Sequence, residues 1–100
     1  MQIIYTEQAL QSLEEALDFL LEQEKPLDQI IETRDRILDR ADSLAKHPGK
    51  GQQEEYLAHL GKGHRRILEG YHKIIYRVEE QTIYITDIFD TRQDPTKMKG

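Results

Sequence analysis

An α+β fold is predicted by three features of the chain. A short strand-like run, "QIIYT", opens it, two amphipathic helical stripes follow, and β-branched and aromatic runs crowd the last third. Helices gathered ahead of hairpin-connected strands imply helices on one face of a mostly antiparallel sheet. The expected order is an N-terminal strand, an antiparallel helical hairpin, and a three-stranded antiparallel meander, all in one sheet. We take residues 1–100 as one domain, with an irregular tail over 91–100.

Each element has its own signal. After "QIIYT", Thr6 can cap a helix, with Glu7 in the first turn where the helix dipole favours negative charge. Ala9, Leu13, Ala16, Leu17, Leu20 and Leu21 then recur at helical spacing, and "EKP" stops them because Pro26 disfavours helical geometry at Lys25. Pro26 suits the first turn of the next helix. That helix carries Leu27, Ile30, Ile31, Ile37, Leu38, Ala41, Leu44 and Ala45, and "HPGKG" ends it. So short a connection predicts a hairpin, with Leu13, Leu17, Leu20 and Ile30 in its core. Residues 48–63 hold four glycines and read as a loop, with a short strand near "EYLAHL". "HRRILEG", "HKIIYRV" and "TIYITDIFD" are strand-like, the last two separated by "EEQ".

Composition excludes several function classes. There is no cysteine, hence no disulfide or thiolate chemistry. No apolar run reaches the roughly 20 residues needed to cross a bilayer, and "MQIIYTEQAL" does not read as a secretory signal. A cytoplasmic protein without membrane partners is expected. The formal net charge of −5 argues against wholesale nucleic-acid binding. The charge is uneven, however: residues 1–60 carry −7 and residues 61–100 carry +2.

Much of the basic charge sits on the strands. Lys62, Arg65, Arg66, Lys73 and Arg77 face a single Glu69 over that stretch. Strand alternation puts Lys73, Ile75 and Arg77 on one face and Ile74, Tyr76 and Val78 on the other. If the second set faces the helices, the cations lie on an open sheet face, available to a partner. Tyr71, Tyr76 and Tyr84 read as packing residues more than as base-stacking platforms. His47, His59, His64 and His72 lack zinc-ligand spacing, so no metal or cofactor is expected. Glu14–Glu15 and Glu54–Glu55 read as surface charge, and "GKGQQ" and "GKGH" lack the form of a phosphate-binding loop.

The element order, "RRILEG" and "GYHKIIYRVEEQTIYITDIFDTRQDP" together resemble the RelE/ParE toxin superfamily of type II toxin–antitoxin systems, known also as plasmid stabilisation proteins. The block over residues 64–95 looks closer to the ParE branch. The resemblance implies a growth-inhibiting toxin neutralised by a cognate antitoxin that wraps it. ParE-type toxins poison DNA gyrase without a recognised nuclease site. RelE-type toxins cleave messenger RNA on the ribosome, with basic residues at the scissile phosphate.

On the RelE-type pattern Lys73 and Arg92 would hold phosphate, and Met98 stands where a C-terminal tyrosine would exchange a proton. Methionine cannot do so. His72, or His64, is the available substitute. The missing tyrosine and the acidic bulk favour a gyrase inhibitor that acts by binding, with Arg65, Arg66, Lys73, Arg77 and Arg92 as partner contacts. A ribosome-dependent endoribonuclease using Lys73, Arg92 and His72 is the alternative, and a non-toxic relative that only binds its partner is a third reading.

Overall fold

The computed structural model describes residues 1–100. Strand β1 (Gln2–Tyr5) leads into helices α1 (Glu7–Glu22) and α2 (Leu27–Asp42), then β2 (Gln52–Gln53), β3 (Arg65–Glu69), β4 (His72–Glu79) and β5 (Thr82–Asp90). The expected strand, helical hairpin and C-terminal meander are present. They belong to one five-stranded mixed sheet in the order β1-β5-β4-β3-β2. β1 runs parallel to β5, while β3, β4 and β5 form the antiparallel meander and β2 adds an antiparallel edge.

Local chemistry sets the boundaries. The Thr6 hydroxyl accepts the Ala9 amide N–H at 3.1 Å, a cap worth about 1 kcal/mol. Residue Glu24 turns left-handed (φ 58) after α1, and Pro26 opens α2. The β3–β4 turn has Gly70 at φ 59. The β4–β5 turn places Glu80 at φ 55 without a glycine, a conformation that costs an L side chain roughly 1–2 kcal/mol.

The main core lies between the hairpin and one sheet face. Ala9 and Leu13 of α1 and Ile37 and Ala41 of α2 meet Ile67, Ile74, Tyr76, Ile83, Ile85 and Ile88. Leu17 packs against this cluster, Ile30 is buried, and Leu20 is half-buried. Truncating any of the buried isoleucines to alanine costs about 2–5 kcal/mol. Tyr76 is fully buried; its hydroxyl donates to Pro48 O and accepts from the Gly51 N–H, each at 2.9 Å.

Three expectations are corrected. The segment "EYLAHL" is a 3-10 helix (Glu55–Leu60), and the short strand lies earlier, at Gln52–Gln53. The sheet face away from the hairpin is not open along its length: Leu57 from that 3-10 helix and Met98 from the tail cover Ile75 and Phe89 in a second core. Ile75, expected to sit outward beside the cations, is fully buried, while Val78 is exposed near the end of β4. The tail is more structured than an irregular end. It makes a 3-10 turn over Pro95–Lys97, buries Met98, and donates the Lys99 N–H to Asp87 at 2.9 Å.

Candidate functional site

The basic residues of β3 and β4 are drawn into the protein's own polar network. Lys73 reaches across the second face to Glu54, which is 1% exposed, with Nζ 2.8 Å from Oε1. The Arg66 guanidinium lies 3.7 Å from the same oxygen and also donates to Gln53 O at 2.6 Å. Arg65 donates to Gly51 O at 2.7 Å. Arg77 pairs with Glu79 and stacks on Tyr84, 4.4 Å from the ring centroid. Arg92 makes a two-point contact with Asp90, at 3.0 and 2.7 Å, and stacks on Tyr71 at 4.7 Å.

The expectation of free cations on an open face is therefore corrected. Lys73 is neutralised by a carboxylate, and only 18% of its side chain is exposed. Arg77 is 21% exposed and also paired. The physical reason is the 3-10 helix: packing Leu57 onto Ile75 and Phe89 brings Glu54, the residue just before it, against Lys73. Arg65, Arg66, Lys73 and Arg77 are neighbours on the sheet, whereas Arg92 stands apart beyond β5 beside Tyr71.

A second concave region lies between α1 and the C-terminal part of β5 with the tail. This open cleft, of about 1120 Å³, is lined by Ser12, Glu15, His72, Asp87, Arg92 and Lys99 among others. β1 pairs with β5 only as far as Ile85, so the strand beyond has no β1 partner. Burial pushes Asp87 above the usual carboxylate range, against opposing help from Ser12 and the Lys99 N–H. Hydrogen bonding by Arg92 holds Asp90 below that range. Burial holds His72 below the ordinary histidine value, and Arg92 reinforces this while Asp90 and Glu69 oppose it. His72 is thus neutral at pH 7, able to accept a proton there but not poised to donate one.

His64 is buried with neither ring nitrogen hydrogen-bonded. Burial, Arg77 and Lys62 all keep its proton affinity low. Both histidines therefore bind protons more readily in the unfolded chain. Stability should rise with pH below the ordinary histidine value near 6.5 and level off above it. Asp87 acts with the opposite sign, starting from the ordinary carboxylate value upward. The urea midpoint is expected to increase between about pH 5.5 and 7.5, with a shallower rise in His72→Gln. A midpoint that is flat or falls over that range contradicts the assignment of neutral, buried imidazoles.

Glu54 is the residue that the sequence reading missed, having grouped it with surface charge. Its partner lies 19 residues away on another element, and no local pattern links the two. Its own turn-capping bond, accepting the Tyr56 N–H at 3.2 Å, is the only local sign of a structural role.

Comparisons with known proteins agree with this architecture. A search of curated proteins returns no match. The family model described as "ParE toxin of type II toxin-antitoxin system, parDE" matches residues 3–95, from the first strand through the meander into the tail. Its span takes in the hairpin, the Glu54–Lys73 network and the Asp90–Arg92 pair, so the chain belongs to the ParE toxin family of type II toxin–antitoxin systems.

Proposed function

We propose that this toxin inhibits DNA gyrase by binding it in the cytoplasm, without chemistry of its own, and that its cognate antitoxin neutralises it. The observation that carries the reading is the Lys73–Glu54 pair. An amine 2.8 Å from a buried carboxylate is already committed, and a scissile phosphate would have to displace that carboxylate to use it. Other features agree. Arg92 is engaged by Asp90, His72 is held neutral, and Met98 is buried in the second core where the RelE-type pattern has an exchanging tyrosine. Cleavage of RNA needs a proton acceptor, a donor and free cations together, and the pairing of Lys73 and Arg92 with carboxylates weighs against that set.

Among the five basic contacts expected from the sequence, Arg77 and Arg92 are the best placed for a protein target. Each guanidinium sits over a tyrosine ring, Tyr84 or Tyr71, and arginine and tyrosine are both enriched among interface hot spots. Arg65, Arg66 and Lys73 act through the fold, holding β2 and Glu54 in place. For the antitoxin we assign the outer surface of the hairpin, where Leu10, Leu21, Leu27 and Ile31 are exposed. An amphipathic segment laid along such a stripe would bury it.

A supercoiling assay with purified gyrase tests the reading. The chain is expected to inhibit at near-stoichiometric ratio, and Arg77→Ala or Arg92→Ala to raise the inhibitory concentration roughly tenfold, the loss of one moderate hot spot. Full gyrase activity at a large excess of folded toxin would exclude it.

A further inference from the structure

We infer that Glu54 is a masking residue: it occupies the point on which Lys73 and Arg66 converge and thereby keeps this face of the toxin from binding polyanions such as single-stranded nucleic acid. The inference holds whatever protein the toxin targets.

The geometry is that of an oxyanion cradle already filled from within. One carboxylate oxygen of Glu54 lies 2.8 Å from the Lys73 amine and 3.7 Å from the Arg66 guanidinium. The other accepts the Tyr56 backbone N–H at 3.2 Å. Two cations and an amide N–H directed at one small volume are what a phosphate oxygen needs. Lys73 also sits 5.6 Å from the centre of the Tyr56 ring, which gives a base a surface to stack on.

The cradle is shallow. The Lys73 and Arg66 side chains keep 18% and 19% of their surface, whereas Glu54 keeps 1%. Solvent thus reaches the cations, while the carboxylate lies beneath them. Glu54 is also fixed by its backbone, which donates to His64 O at 2.9 Å. Arg66 is restrained by Gln53 O and by Gln52 Oε1 at 3.2 Å. The carboxylate thus sits beneath the cations on a backbone that is itself anchored. A purely structural role for Glu54, pinning the 3-10 helix over Ile75 and Phe89, predicts a change in stability alone. Masking predicts in addition a change in the salt dependence of polyanion binding.

Glu54→Gln separates the two, since it preserves shape and acceptor oxygen but removes the charge. Binding of a labelled single-stranded RNA oligonucleotide is followed from low to moderate salt, beside an unfolding curve that confirms the fold. The variant is expected to bind more tightly than the parent, with log K against log salt steeper by roughly 0.7, the share of the one phosphate neutralised in the cradle. Inorganic phosphate is expected to compete. Should Glu54→Gln fail to fold, the pair Glu54→Gln with Lys73→Met removes the amine left without its carboxylate. It is then expected to steepen the slope by about 0.7, from Arg66 alone. A folded variant whose affinity and salt slope equal the parent's overturns the inference.

Discussion

Gly51→Ala is expected to lower the stability of the toxin by about 3 kcal/mol or more, a fall in melting temperature of roughly 15–20 °C for a chain of this size. A β-carbon at residue 51 would lie 2.6 Å from the backbone oxygen of Arg66, 2.6 Å from the Tyr76 hydroxyl and 2.8 Å from the Tyr76 ring. None of these can retreat. The Arg66 carbonyl belongs to β3, where Arg66 opposes Gln52 of the edge strand β2, and Tyr76 has no exposed surface. The methyl group would also displace the hydroxyl that takes the Gly51 N–H and gives to Pro48 O. Overpacking costs about 1–3 kcal/mol and each of the two hydrogen bonds about 1 kcal/mol. Gly49→Ala is the control. Nothing lies within 4 Å of its added carbon, and its stability should stay within about 0.5 kcal/mol of the parent. Equal melting temperatures for the two variants would show that the Gly51–Tyr76 contact does not hold the loop.

Charging the outer surface of the hairpin should abolish neutralisation by the antitoxin while leaving the toxin folded. Leu21 and Leu27 flank the connection between α1 and α2, and they are 54% and 67% exposed. Aspartate at either position removes little internal packing, so unfolding curves should shift by less than about 1 kcal/mol. In a complex that buries them, each change strands a carboxylate against apolar surface. A loss of 2–4 kcal/mol is then expected, or roughly 30- to 1000-fold in affinity. The readout is the dissociation constant for the cognate antitoxin, with growth rescue on co-expression as the cellular counterpart. Unchanged affinity for Leu21→Asp combined with Leu27→Asp would move the antitoxin site off the hairpin.

Much of the fold was legible because its elements carry periodic patterns. The stripes from Ala9 to Leu21 and from Leu27 to Ala45 mark two helices, and the cap at Thr6 and the break at Pro26 fall where the structure has them. β2 was not legible, since two exposed glutamines carry no periodicity. The run Tyr56, Leu57, Leu60 is too short to tell strand from 3-10 helix.

The second core did leave a trace. Ile74, Ile75 and Tyr76 are three consecutive buried residues, and Ile85 through Phe89 are five. A strand with one solvated face alternates, whereas an unbroken apolar run such as Ile74–Ile75–Tyr76 marks a strand covered on both sides; in β5 Thr86 and Asp87 interrupt the run. The spacing of Ile83, Ile85 and Ile88 on the hairpin side changes from two to three, which marks a bulge. Tyr76 opposes Ile85 and Ile75 opposes Asp87, leaving Thr86 as the extra residue. The Glu54–Lys73 pair had no such trace, because tertiary packing of the 3-10 helix alone brings its members together.

The central claim, that this toxin acts by binding and not by cutting RNA, is tested most directly by inducing the chain in bacteria without its antitoxin. Messenger RNA integrity and the DNA-damage response are followed together in the parent and in Lys73→Ala. The account predicts arrested growth, an early damage response and intact transcripts. Rapid transcript cleavage without a damage response, lost in a folded Lys73→Ala variant, would contradict it and make Lys73 a catalytic residue.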